Sequence, residues 1–323
     1  MKKKNPIWNI RTLLLILALI PTLALALITI NLVLNSTNAI GTLGLKLFSN
    51  NFSPSPESIS SGAVQDYSYG ILPALWGTFL VVLISILIAF PISLVLAILA
   101  NDFSVGFLSP VIRWLIGTLS GIPPIIYALI GSTFFLWFFW PNFGGQGVPT
   151  ESLPPPGTLP TDASCTLLGG LMLSLLIIPF ITPLLDDTIQ GVPKSLKEAS
   201  LSLGANRWYT LKSVTIPAAF PGIVSSLLLG ILTALGEAII VAYTIGLGSR
   251  SLPSPLFDVL ERTSPLTSTI AGLAGGSFSM SNLVGPVGRS AASFMGLLLL
   301  VTAFALLGLT FYLQRRIKKR LAQ

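Results

Sequence analysis

Glu237, in Leu235-Gly236-Glu237-Ala238, is the carboxylate that lies deepest within any apolar run of this chain. A charge in such a setting is costly and ordinarily faces a cavity or a partner. Two roles fit it. It could line a path or form a gate ion pair, holding an arginine of a second subunit or accepting hydrogen bonds from a protonated substrate. It could instead be a structural acid bonded to neighbouring helices. No lysine or histidine accompanies it, so the acid–base or nucleophile–base pair of a membrane protease is missing. The chain has no histidine, and Cys165 is its one cysteine. An intrachain disulfide and a Cys/His metal site are therefore excluded, and Cys165 reads as a small residue at the mouth of a helix. No glycine precedes any lysine, so the G-x4-G-K-[ST] phosphate loop is absent and the chain does not bind ATP in that way. No residue is assigned a catalytic, metal-binding or cofactor-binding role, and the chain does not read as an enzyme.

The elements that must position Glu237 are membrane helices. Hydrophobic residues make up 52% of the 323 and charged residues 9%, against about a quarter charged in soluble chains. Six apolar runs are long enough to cross a bilayer core: 12–34, 73–100, 112–140, 166–185, 218–246 and 291–313. Pro21, Pro91, Pro123, Pro124 and Pro179 sit in or near them, which neighbouring helices can tolerate. The first run follows Met1-Lys2-Lys3-Lys4, but it is too long for a signal peptide's apolar region and reads as a retained helix. Placing both termini in the cytoplasm leaves Lys46, Arg250, Arg262 and Arg289 outside and the other 14 of the 18 basic residues inside. That is a strong positive-inside bias, and it also suits anionic inner-leaflet lipid. Because the basic residues are split among tails and one loop, a nucleic-acid reading is weak.

The expected fold is an all-α polytopic bundle of six transmembrane helices. Residues 263–288 also lack charge and are rich in Gly, Ser and Thr. A seventh span there would put the basic tail outside, so this stretch is expected to be an outer, partly re-entrant loop. The remaining outer segments are 35–72 and 141–165, the latter reading as a Pro/Gly linker. In all, 141–165 and 247–289 are expected to face outward.

The most specific motif lies between the fourth and fifth runs: Glu198-Ala199-Ser200-Leu201-Ser202-Leu203-Gly204, followed by Val214-Thr215-Ile216-Pro217. Val192-Pro193-Lys194 suits a helix start. Leu196, Ala199, Leu203 and Trp208 offer apolar contact at helical spacing. The spacing resembles the E-A-A-x3-G-x9-I-x-L-P loop of ABC importer permeases, with Ser200 in place of the second Ala and Val214 and Ile216 in place of Ile and Leu. Further segments narrow the resemblance: Leu72-Pro73-Ala74-Leu75-Trp76-Gly77-Thr78, Gly121-Ile122-Pro123-Pro124-Ile125-Ile126-Tyr127 and Ala234-Leu235-Gly236-Glu237. Together they look like the permease subunits of phosphate-specific ABC importers, the PstC type more than the PstA type, over roughly residues 67–313.

The resemblance implies an ABC importer permease fold. It implies three segments: 1–66, an N-terminal transmembrane helix and outer loop; 67–313, a permease core of five helices with the EAA loop at about 192–217; and 314–323, a basic cytoplasmic tail. It implies an inner (cytoplasmic) membrane location and three kinds of partner: a homologous second permease, two ATPase subunits that carry the ATP and Mg, and an extracytoplasmic binding protein. Pro193, Glu198, Ala199, Ser200, Gly204, Ala205, Arg207 and Pro217 would couple to the ATPase. Thr78, Tyr127, Thr233, Gly236 and Glu237 would line the substrate path. One departure stands out: the phosphate family has R-A-L-G-E where this chain has Thr233. A hydroxyl cannot replace a guanidinium's charge-assisted bonds to an oxyanion, so molybdate or sulfate importers stay open as alternatives. A secondary transporter would need an ion-coupling site, against which the lone acid argues.

Overall fold

The computed structural model describes residues 6–50, 52–53, 68–103, 107–135, 165–246, 252–274 and 281–321. Helix α1 (Pro6–Leu43) opens the chain and passes through a 3-10 turn, Gly44–Phe48. A two-residue antiparallel pair follows, β1 (Phe52–Ser53) with β2 (Ser68–Tyr69), in the register Phe52↔Tyr69. Helix α2 (Leu72–Ile98) begins with Pro73 in its first turn, where the missing N–H costs nothing. It runs on through a π-helical turn, Leu99–Phe103.

The third apolar run differs from expectation. Instead of one span over 112–140 there are two helices, α3 (Leu108–Ser120) and α4 (Pro124–Ile130), bent by 90°. Ile122 and Pro123 each precede a proline, which disfavours the helical conformation, and Pro123 is extended (φ −60°, ψ 143°). Residues 136–140 lie outside the described part, as does the Pro/Gly stretch 141–165 apart from Cys165. Helix α5 (Thr166–Gln190) runs beyond the expected end at 185, so Asp186 and Asp187 are helical rather than loop residues. Nothing before Gly191 is able to stop it: Pro179 and Pro183 are both absorbed.

The loop motif forms α6 (Lys194–Ser202), α7 (Arg207–Thr210) and a π-helical turn, Leu211–Thr215. The fifth run is interrupted: α8 (Ile216–Gly236) stops, Glu237 is extended (ψ 119°), and α9 (Ile239–Thr244) restarts. Within the stretch expected as an outer loop lies α10 (Leu266–Ala274). Helix α11 starts at Ser281, ten residues before the expected run, and carries the basic tail through Leu321 as helix. Among the described residues five helical stretches are long and apolar enough to cross a membrane, and the bent α3–α4 pair taken as one span makes six, the number expected.

Helix α5 is the centre of the bundle. Leu173, Ile177 and Ile181 are fully buried, packed with Val81 and Ala89 of α2, Ala234 of α8 and Val241 of α9. In lipid such packing gains little from the hydrophobic effect and relies on close backbone approach over small residues. A Cβ on Gly170 would collide with Ile84, and one on Gly222 with Thr188. By contrast, Leu13 to Leu17 of α1 are each more than half exposed, an apolar face that only lipid or a partner could solvate. The segment 252–265 folds over the end of the bundle opposite the α6–α7 loop. The Trp76 indole N–H donates to the Leu256 carbonyl at 2.6 Å, and Leu167 N–H to Val259 at 2.8 Å.

Candidate coupling loop and translocation path

Helix α6 is framed by two backbone devices. Pro193 at its N-cap is extended, which starts the helix after buried Val192. Gly204, just past its end, has φ +86°, the left-handed conformation that ends helices and that glycine adopts without penalty. The turn closes with Gly204 N–H on Leu201 O (3.0 Å) and Ala205 N–H on Ser200 O (3.2 Å). Asn206 then caps α7, its Oδ1 accepting from Tyr209 N–H at 2.7 Å. Ser200, where the motif resembled has Ala, faces inward: its hydroxyl and that of Thr210 lie 2.9 Å apart in the buried seam between α6 and α7. The outer side of the loop is open. Glu198, Ala199 and Arg207 are exposed, Leu203 is 89% exposed and Trp208 64%. Leu196 is also exposed, and of the proposed apolar face Trp208 meets the chain itself, its ring 6.4 Å from that of Phe103. Pro193 and Pro217 are exposed at the start of α6 and in the first turn of α8, and Ala205 is half-buried.

Two polar clusters fasten this end of the bundle, and sequence reasoning missed both. Lys197 of α6 donates to Asp102 Oδ1 at 2.8 Å, across 95 residues of chain. Asp186 of α5 gathers three partners. Arg113 of α3 reaches it at 2.8 and 3.2 Å, Asn101 at 2.6 Å and Gln190 at 2.9 Å. In the sequence Arg113 is visible only as one of the 14 inside charges. One signal was available: Asp186 and Gln190 stand four apart, on one helix face.

The candidate path residues separate into two groups. Thr78 and Glu237 converge on the first turn of α10. The Thr78 hydroxyl donates to Ala74 O at 2.7 Å and accepts from Leu266 N–H at 2.8 Å. The Thr267 hydroxyl donates to the Glu237 carbonyl at 2.9 Å. The Glu237 carboxylate accepts from the N–H groups of Ile239 (3.1 Å) and Ile240 (3.4 Å), capping α9. It is half-buried, and the acid at the broken helix thus has a local role within the chain. Thr233, one turn earlier, spends its hydroxyl on Leu229 O at 2.9 Å. Gly236 is exposed with open space where a Cβ would point, so among the described residues no helix approaches it closely. Tyr127 stands apart from this group. Its ring packs with Leu168, Met172 and Ile240, and its hydroxyl donates to Leu119 O at 3.0 Å across the α3–α4 bend.

An exposed two-helix loop between apolar spans, closed by a left-handed glycine, is the structural form of the motif. Residues 89–319 match the family described as "Binding-protein-dependent transport system inner membrane component". The chain belongs to this family. The "Probable ABC transporter permease protein YqgH" of Bacillus subtilis is 35% identical over 253 residues, 78% of this chain and 74% of that protein. The "Phosphate transport system permease protein PstC" of Haemophilus influenzae is 32% identical over 291 residues, 88% of this chain and 85% of that protein. Among solved structures, a bacterial alginate ABC transporter in complex with an alginate pentasaccharide-bound periplasmic protein superposes with TM-score 0.55. It is 17% identical, with 98% of this chain and 99% of that chain covered. The inward-facing MetNI methionine ABC transporter gives TM-score 0.51 at 16% identity, covering 77% and 94%. At those identities the likeness speaks for the fold alone. The chain is a multi-pass membrane protein, an ABC importer permease.

Proposed function

We propose that this permease forms the translocation path of an ATP-driven importer for an inorganic oxyanion, phosphate first. The observation that carries the anion class is the 32% identity to a PstC permease over 88% of the chain. The LP-x3-GT, GIP-x3-Y and ALGE segments agree with it. On this reading a homologous permease completes the path, and two ATPase subunits supply ATP and Mg. These grip the α6–α7 loop through Leu196, Leu203 and Trp208, and an extracytoplasmic binding protein delivers the anion. Both termini are cytoplasmic. Thr233 in place of the family's arginine favours one second reading, a molybdate- or sulfate-type importer. In either case the basic group would come from the partner permease, or neutral donors would suffice. Competition in proteoliposomes carrying the assembled complex separates the two. Radiolabelled phosphate uptake should yield to unlabelled phosphate and resist molybdate and sulfate. Preferential inhibition by either of the latter would overturn the phosphate reading.

A further inference from the structure

Helices α5 and α8 are joined to the α6–α7 loop by the chain itself, so any displacement of the loop reaches them covalently. Helix α2 has no such link, yet it carries the candidate path at its other end. Thr78 holds the Leu266 amide there, next to the Thr267 that holds the Glu237 carbonyl. The loop touches the inner end of α2 at two adjacent residues of the π-helical turn. Lys197 pairs with Asp102 at 2.8 Å, and the Trp208 ring lies 6.4 Å from that of Phe103. Side chains of the ion pair are only 20% and 16% exposed, and Asp102 Oδ2 is buried without a hydrogen-bond partner among the described residues. Lys197 is therefore the main compensation for that carboxylate. The residue before it, Asn101, donates to Asp186 at 2.6 Å, inside the Arg113 cluster. The turn is thus clamped on both sides. π-helical turns of this kind recur at functional sites and provide a non-standard, adjustable register.

We propose that the Lys197–Asp102 pair is the contact by which movement of the docked loop is passed to α2, and through α2 to the Thr78–α10–Glu237 junction. Both residues act as positioning residues, not as ligands of the anion. The inference rests on the ABC permease reading and adds a specific route to it. A coupling route needs an element that both ends bias. Helix α2, 27 residues and roughly 40 Å long, is that element here.

The test uses the complete complex, permease with its ATPases, in proteoliposomes, and reads anion imported per ATP hydrolysed. Asp102→Asn and Lys197→Met should still assemble and hydrolyse ATP, while uptake per ATP falls by about tenfold. The exchange Asp102→Lys with Lys197→Asp should recover toward the wild-type ratio. A merely structural contact would lower the yield of complex and leave the ratio intact, so single variants with the wild-type ratio overturn the relay. Should the variants fail to assemble, a second measurement decides. Asp102→Cys with Lys197→Cys in a Cys165→Ser background, joined by a short bifunctional thiol reagent, should keep transporting, because a relay contact stays closed through the cycle. Uptake abolished by the cross-link would overturn the proposal. Wild-type complex without ATP-driven uptake would count instead against the functional reading beneath it.

Discussion

Replacing Gly204 separates two reasons for a glycine at the end of α6. Its φ is +86° and a Cβ there would meet nothing within 4 Å, so a substitution acts through backbone conformation and not through collision inside the chain. A left-handed conformation costs an L-residue about 1 kcal/mol for Ala and about 2 for β-branched Val. The population holding the turn should fall by roughly fivefold for Gly204→Ala and thirtyfold for Gly204→Val. Asn and Asp tolerate this region better than other side chains, so Gly204→Asn should be the mildest. Gly204→Asp is nearly isosteric with Asn. It adds only the roughly 0.5 kcal/mol that a carboxylate costs at a helix C-terminus. If an ATPase surface closes on this turn, Asp should lose far more ATPase co-purification and uptake than Asn. The assay is pull-down of the ATPase with tagged permease, read beside uptake in the same cells. Gly204→Val with wild-type uptake refutes the requirement for the turn. Asp equal to Asn in both readouts refutes close docking at Gly204.

Glu237→Gln keeps a carbonyl oxygen able to cap α9, so assembly should survive. Uptake should nevertheless collapse if the charge holds a partner's arginine; wild-type uptake at neutral pH would leave the cap as this residue's whole role. Asp186→Ala strands Arg113, Asn101 and Gln190. Because the Arg113 side chain is 43% exposed, the loss should be about 1–2 kcal/mol rather than the larger cost of a fully buried pair. Thermal unfolding in detergent checks this: Arg113→Ala and Asp186→Ala should be less than additive, and full additivity would deny the coupling. For topology, a cysteine at position 320 in a Cys165→Ser background should resist an impermeant thiol reagent added outside, and one at position 257 should react. Reaction at 320 would defeat the cytoplasmic placement of the C-terminus. In the unaltered chain, burial pushes the Cys165 thiol up. Its own labelling should therefore be slow at neutral pH and climb as pH rises past the ordinary thiol range.

Local signals carried much of this structure. Pro193 marks the start of α6 in the sequence because it acts through its own backbone, whereas Gly204 enters there only as a motif position and its helix-ending role is visible in the fold; the apolar runs set the spans because lipid demands about 20 apolar residues whatever the fold. The family motif located the exposed loop. Paired prolines at Pro123-Pro124 signal a break, but a tolerated kink and a right-angle bend share that signal, and only packing decides between them. The Glu237 break was harder, since Gly236 alone does not stop a membrane helix and the interruption is held by Thr267, thirty residues on. The Lys197–Asp102 and Arg113–Asp186 pairs join residues 95 and 73 apart. Such pairings follow from how α2, α3 and α5 pack, which no local pattern encodes. Ser200 shows the same limit in miniature: it looked like a departure from Ala, and is a polar stitch to Thr210.

On the proposed function, this chain moves an oxyanion only when an ATPase bound to its α6–α7 loop turns over. Proteoliposomes containing the complete complex and binding protein test it directly, with phosphate uptake measured with and without internal ATP and with ion gradients collapsed. The expected result is saturable uptake that requires ATP, persists without a proton or sodium gradient, and disappears with Gly204→Asp. Uptake that follows an ion gradient in the absence of ATP would contradict it.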